Sequence, residues 1–258
     1  MSRVIISLTS FPARIPTLHM VIQSLLQQKV PADLVVLYLT AEQFPDRKLS
    51  PELEELLKND KFQVRFVPEN IKSFTKLVYA LQEFSDDIII TVDDDYKYPN
   101  NLTRALLRTH KKHLDCICSN IIRKIGIENG HILPYKQWRR SMTRRFYTRI
   151  DASYTNLLMG FGGVLYPPHS LSQDVQKFDL FKKLCPHQDD IWFWAMAVLN
   201  STKIIPTRFG IKMGRTCISE TQSVGLYNTI NSAETSPNNI ALENILEQYP
   251  EIKEKIGL

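Results

Sequence analysis

Two places in this sequence concentrate carboxylates in a form that can do chemistry, Asp93-Asp94-Asp95 and Asp189-Asp190. The first group follows Ile88-Ile89-Ile90-Thr91-Val92, a β-branched run that predicts a buried strand. Like charges crowded at a strand end repel one another and lose water, so the fold needs a reason to hold them there. A divalent cation supplies one. Asp93 and Asp95 are two residues apart and face the same way if the chain is still extended, offering two hard oxygens to Mn²⁺ or Mg²⁺. The alternative is an acidic turn capping the next helix, where aspartate is also common. Asp189-Asp190 opens the apolar stretch Ile191 to Leu199, which predicts a helix carrying both acids in its first turn. A helix N-terminus accounts for one negative charge. With Trp192, Phe193 and Trp194 following, one of the two acids is a candidate general base.

Apolar runs alternating with helical patterns must position these acids, and they predict strands packed between helices in an α/β layer arrangement. The expected strands are Val4–Leu8, Leu34–Leu39, Val64–Val67, Ile88–Val92, Cys116–Ser119 and Val164–Tyr166. Thr17 to Gln28 carries Leu18, Val21, Ile22, Leu25 and Leu26 at amphipathic spacing. Further helices are expected over Pro51–Lys58, Ser73–Phe84, Leu102–Lys112 and Ile240–Tyr249. Gly160-Phe161-Gly162-Gly163 precedes the Val164 strand; these glycines either let backbone approach a ligand or only permit a turn.

With 258 residues, 43% hydrophobic and 23% charged, the chain can enclose a full core, which excludes disordered and fibrous classes. A single domain is expected. Lysine plus arginine is 32 against 27 acids, a surplus of +5 that demands no polyanion partner by itself. That surplus is concentrated at Lys136, Arg139, Arg140, Arg144, Arg145 and Arg149, interleaved with Trp138, Phe146 and Tyr147. Three readings of Lys136 to Arg149 stand: a stripe meeting anionic lipid at the inner membrane face, a loop gripping an acidic glycan, or a solvated helix face with its aromatics turned inward. Val4–Leu8 is too short for a secretory apolar region, and no run approaches the roughly 20 residues that cross a bilayer. The expected location is therefore cytoplasmic, with peripheral membrane contact as the one exception. Cys116, Cys118, Cys185 and Cys217 read as reduced thiols, because no second Cys/His pair at metal-site spacing accompanies Cys116 and Cys118.

Taken in order, the chain resembles the nucleotide-sugar-dependent glycosyltransferases of GT-A architecture, especially the inverting family-2-like bacterial enzymes of surface polysaccharide synthesis. The features that carry the resemblance are the strand and loop Val4–Arg14, the helix containing Lys76, Thr91-Val92-Asp93-Asp94-Asp95 as a DxD element, Gly160–Gly163, and Asp189-Asp190 opening an aromatic helix. Together they span about residues 3 to 200. The resemblance implies a single Rossmann-like GT-A domain over 1–258, its mostly parallel mixed sheet flanked by helices, with 1–119 binding the nucleotide sugar and 120–258 the acceptor. It implies a metal on Asp95 with Asp93 and Asp94 beside it, and Asp190, next to Asp189, as the base for an acceptor hydroxyl. Thr9, Arg14, Glu42, Lys76, Asp93 and Asp94 would line the donor, expected to be a UDP-sugar; the acceptor would be a glycan or lipid-linked molecule. The chain departs from the family after the second strand, where Thr40-Ala41-Glu42 offers only Glu42 to grip the base. It departs again late in the chain, where the last histidine, His187, precedes the acidic pair.

The same chemistry has independent grounds. Breaking the bond from an anomeric carbon to a diphosphate develops negative charge, which a cation on Asp93 and Asp95 and a lysine, Lys76 or else Lys72, would neutralise. Asp190 would accept the acceptor's proton during attack from the opposite face, inverting the centre. Arg14 is either a nucleotide contact or a solvated surface group. Among rival classes, a haloacid-dehalogenase-type phosphatase needs Thr or Val where Lys97 stands. A nucleotidyltransferase needs a glycine-rich basic loop, and Ser7 to Arg14 has no glycine. A glycan- or nucleic-acid-binding module leaves both acid clusters without purpose, and carboxylates repel phosphates, so no nucleic-acid partner is expected.

Overall fold

Four apolar runs of the first hundred residues form parallel strands: β1 (Val4–Thr9), β2 (Leu34–Thr40), β3 (Phe62–Val67) and β4 (Ile88–Thr91). The computed structural model describes residues 2–140, 151–207, 217–218 and 236–258. Short strands follow: β5 (Ile117–Ser119), β6 (Ile122–Lys124), β7 (Ile127–Glu128), β8 (His131–Ile132), β9 (Arg139–Arg140), β10 (Asn156–Leu158), β11 (Val164–Tyr166) and β12 (Ile204–Pro206). Seven of them make one sheet in the order β12-β5-β11-β4-β1-β2-β3, in which β11 alone runs antiparallel. The result is the expected α/β class, a mostly parallel mixed sheet between helices.

This order decides where a site can form. From β1 the chain winds through β2 to β3 on one side, then returns to place β4 on the other. Loops leaving β1 and β4 therefore diverge and leave a crevice beyond the strands' C-terminal ends. Both Ser10–Arg14 and Val92–Asp95 emerge there. Because Val164 of β11 pairs with Thr91, β11 begins where β4 ends, and the turn Gly160–Gly162 lands on the same edge.

Helices α1 (Ile15–Leu26), α2 (Pro51–Leu56) and α4 (Leu102–His110) cover one face, setting Leu18, Val21, Leu53 and Leu106 against Ile6, Leu37 and Ile90. The other face carries α3 (Thr75–Glu83), α5 (Phe178–Leu184), α6 (Asp189–Leu199), α7 (Pro237–Gln248) and α8 (Glu251–Ile256). Phe74 and Phe181 stack there at 4.2 Å between ring centroids, worth about 0.5–1.5 kcal/mol beyond the area they bury. From Ile191 to Val198 every residue of α6 is buried, so this helix is enclosed on all sides and its first turn is rigidly placed. Trp192 and Trp194 satisfy their indole N–H groups on the carbonyls of Val175 and Tyr154, at 3.2 and 2.7 Å.

Several boundaries differ from expectation. α1 begins at Ile15 and α7 at Pro237, each with a proline in its first turn, where the missing N–H costs nothing. The helix expected from Ser73 begins at Thr75, after a 3-10 turn over Lys72–Phe74. Lys72 has a left-handed backbone, φ 56°, which an α-helix does not allow. The small sheet β10-β6-β9, the hairpin β7-β8, α5 and α8 were not expected, each being too short to show a period. Among the described residues no helix is long and apolar enough to cross a membrane. In the basic segment, Lys136 is exposed, whereas Trp138 is buried and donates to the Leu133 carbonyl at 2.6 Å. Arg144, Arg145, Phe146, Tyr147 and Arg149 lie outside the described residues.

Candidate active site

Two carboxylate clusters stand side by side at the crevice. In the first, Arg14, at the end of a 3-10 turn leaving β1, forms an ion pair with Asp94 and lies 3.3 Å from Asp95 Oδ2. Ser10 Oγ donates to Asp94 Oδ2 at 2.5 Å. Burial works against the guanidinium's charge, but Asp94, Asp95 and Asp93 outweigh it and hold the group further above its ordinary value. Burial raises Asp94, with Arg14 and Ser10 pulling the other way. Of the two readings of Arg14, the solvated surface group is corrected here: its side chain is buried and paired with Asp94.

In the second cluster Lys76, on the first turn of α3 and 3% exposed, reaches two acids far apart in sequence, Asp93 and Asp189. Its Nζ donates to Asp93 Oδ1 at 2.7 Å and forms an ion pair with Asp189 Oδ2 at 2.9 Å. Taking the ammonium out of water would lower its affinity for the proton, yet Asp189, Asp93 and Asp190 together raise it well above the usual lysine range. Asp190 accepts from the backbone N–H of Gly160 at 2.9 Å. Its carboxyl is held well above the ordinary range, first by loss of solvent and then by Asp189, with Lys76 opposing. A Cβ on Gly160 would stand 2.9 Å from Asp190 Oδ1 and 3.0 Å from Lys76 Nζ, so a larger residue would have to shift these side-chain ends.

Asp95 lies between the two. Its Oδ1 is buried with no hydrogen-bond partner, and burial and Asp93 push its pKa up to about 7 against the pull of Arg14. The chain has already turned at Asp94, so the two-apart alternation expected of an extended segment does not hold; Asp93 meets Lys76 while Asp95 meets Arg14. Five aspartates thus share two buried cations, leaving three negative charges in excess if all ionise. An orphaned buried carboxylate oxygen in such a field fits a cation ligand. That oxygen is on Asp95; Asp93 stands beside it with one oxygen already bonded to Lys76. Among the described residues no ready group of three or more His, Cys, Asp or Glu surrounds them, and Mg²⁺-type ions complete their shell with water and substrate oxygens.

Tyr98, not singled out from sequence, pins the acidic loop. Its hydroxyl accepts from the Asp93 N–H at 2.8 Å and donates to the Phe161 carbonyl at 3.0 Å, binding the loop to the glycine turn. The only signal was its place three residues after Asp95. Thr9 donates to the Tyr38 carbonyl at 2.9 Å, and Glu42 is exposed on the turn after β2. Both lie on the same sheet edge, but among the described residues neither bonds to the acid clusters. The cysteines are all free thiols.

No family model matches this sequence, and no curated protein matches it. Solved structures do match. Mannosyltransferase PcManGT from Pyrobaculum calidifontis, in complex with GDP-Man and Mn²⁺, aligns with a TM-score of 0.56 and 11% identity over 97% of this chain and 64% of that one. A cytidylyltransferase from Leptospira borgpetersenii aligns at TM-score 0.46 and 12% identity, covering 99% and 97% of the two chains. S. aureus TarS aligns at 0.44 and 13%, covering 97% and 72%. The chain has the GT-A-like fold of the mannosyltransferase; at these identities the likeness speaks for the fold.

Proposed function

We propose that this chain is a metal-dependent inverting glycosyltransferase that moves a sugar from a nucleoside-diphosphate donor, a UDP-sugar, to a glycan or lipid-linked hydroxyl in surface polysaccharide synthesis. The observation that carries this reading is Lys76, which joins the strand-end acids to the late acidic pair. Two motifs far apart in sequence thereby become one site, on the edge where α/β sheets bind ligands. The fold shared with a mannosyltransferase holding GDP-Man and Mn²⁺ supports the same donor and cofactor class.

In this reading residues 1–119 bind the donor and 120–258 the acceptor. Asp93 and Asp95 hold the cation, and Thr9 and Glu42 lie along the path of the nucleotide. When bound, Mn²⁺ or Mg²⁺ offsets the charge that develops on a departing diphosphate. Asp190 takes the proton of the attacking hydroxyl; a carboxylate whose proton affinity is raised by its surroundings is the stronger base. Gly160 orients it through the backbone N–H. Lys76 keeps Asp189 and Asp93 in place, and it meets the diphosphate only by giving up Asp93. Asp190→Asn keeps the shape and removes the base, so sugar transfer should fall about 10²- to 10⁴-fold with donor binding retained. Turnover near that of the wild type would overturn the assignment.

A further inference from the structure

Beside the acid clusters the same elements carry the opposite charge arrangement. Lys72 precedes α3 by three residues and His187 precedes α6 by two, and Lys72 Nζ lies 3.2 Å from His187 Nε2 and 3.4 Å from Nδ1. The ammonium of Lys72 thus lies against an imidazole ring that accepts from it in its neutral form. Among the described residues no carboxylate acts on either: burial and Lys72 lower the affinity of His187 for a proton, and burial lowers that of Lys72. Glu69, nearby in the chain, is already taken by Lys182. The pairing is also built into the backbone. Lys72 adopts a left-handed φ of 56°, disfavoured for a residue with a Cβ, and Asn70 Oδ1 fixes the turn by accepting its N–H at 3.0 Å. An exposed lysine against a half-buried imidazole, with no acid partner among the described residues, matches an anion that accepts from both side chains at once.

The position identifies the molecule that brings the anion. Lys72 and His187 belong to the segments bearing Lys76, Asp189 and Asp190, not to the loops of Asp95 and Arg14. We propose that Lys72 and His187 form a subsite for a phosphate or carboxylate group of the acceptor, which would make the acceptor an anionic molecule. This rests on the glycosyltransferase reading, since the neighbours of the base must face the acceptor hydroxyl. The donor's diphosphate carries the same chemistry, so the test separates the two sources.

Inorganic phosphate is titrated into the metal-free protein while histidine ring signals are followed by NMR, with His187 assigned by its disappearance in His187→Gln. The His187 signal should shift saturably, and Lys72→Ala should weaken that binding about ten-fold, the loss of one charge-assisted contact. UDP with Mn²⁺ should bind both variants as it binds the wild type. An unmoved His187 signal, or unchanged phosphate affinity in Lys72→Ala, overturns the subsite. An equal loss of UDP–Mn²⁺ affinity in the variants overturns its assignment to the acceptor. Failure of the wild type to bind any nucleoside diphosphate with Mn²⁺ sinks the transferase reading instead, while the phosphate titration still decides whether the anion subsite exists.

Discussion

The cluster around Arg14 and the cluster around Lys76 use the same ingredients, one buried cation among aspartates, and end in different states. Arg14 and Ser10 between them occupy both oxygens of Asp94, although Arg14 Nε and Asp95 Oδ1 in that corner are buried without a hydrogen-bond partner. Around Lys76 the balance is broken. One lysine there meets Asp93 and Asp189 and lies in the field of Asp190, so the acids outnumber the cation. Closed networks rigidify a fold, whereas groups left charged and unsatisfied at a cleft mark where chemistry is done. In the proposed reading the first cluster is a lock that joins the β1 and β4 loops, and the second is the working site that the lock positions.

That contrast is open to experiment. Arg14→Met should be the most damaging change to folding, lowering stability by about 3–5 kcal/mol in chemical denaturation because it leaves a buried carboxylate uncompensated. A loss under 1 kcal/mol would show that Arg14 is no lock. Gly160→Ala should act on the other cluster. Its Cβ forces Asp190 and Lys76 apart, and displacements of this order can cost roughly 10²-fold in turnover. The overpacking should cost only about 1–3 kcal/mol of stability. Unchanged turnover would mean that the Gly160 contact does not orient Asp190.

The smallest effect is on pH dependence. Asp95 titrates at about 7 in the folded chain, above the ordinary carboxylate range, because of burial and Asp93. Folded protein therefore holds a proton that the unfolded chain has already lost. Its contribution to metal-free stability is present at low pH and is lost as pH rises from about 4 to about 7. Tm followed across that window should decline less steeply in Asp95→Asn, and saturating Mn²⁺ should flatten the wild-type slope by competing with the proton. Identical slopes in all three would remove Asp95 from the cation site.

Much of the frame was legible in the sequence because buried parallel strands are continuous apolar runs, as in Leu34–Thr40 and Ile88–Thr91. The five aspartates and Lys76 were legible by type and order. Their wiring was not. Arg14 pairs with a residue 80 positions away, and Gly160 meets Asp190 30 positions away, contacts that only the sheet order creates. The left-handed turn at Lys72 and the hydroxyl of Tyr98 carry no periodic signal, so neither the anion-facing pair nor the pin on the acidic loop could be read from spacing.

The most direct test of the central claim, that the strand-end acids and the late pair divide cation binding and proton transfer within one site, is Mn²⁺-dependent UDP binding by calorimetry in two variants. Asp95→Asn should abolish the Mn²⁺ dependence, while Asp190→Asn should bind as the wild type does. Equal Mn²⁺-dependent binding in both variants, or equal loss in both, would contradict it.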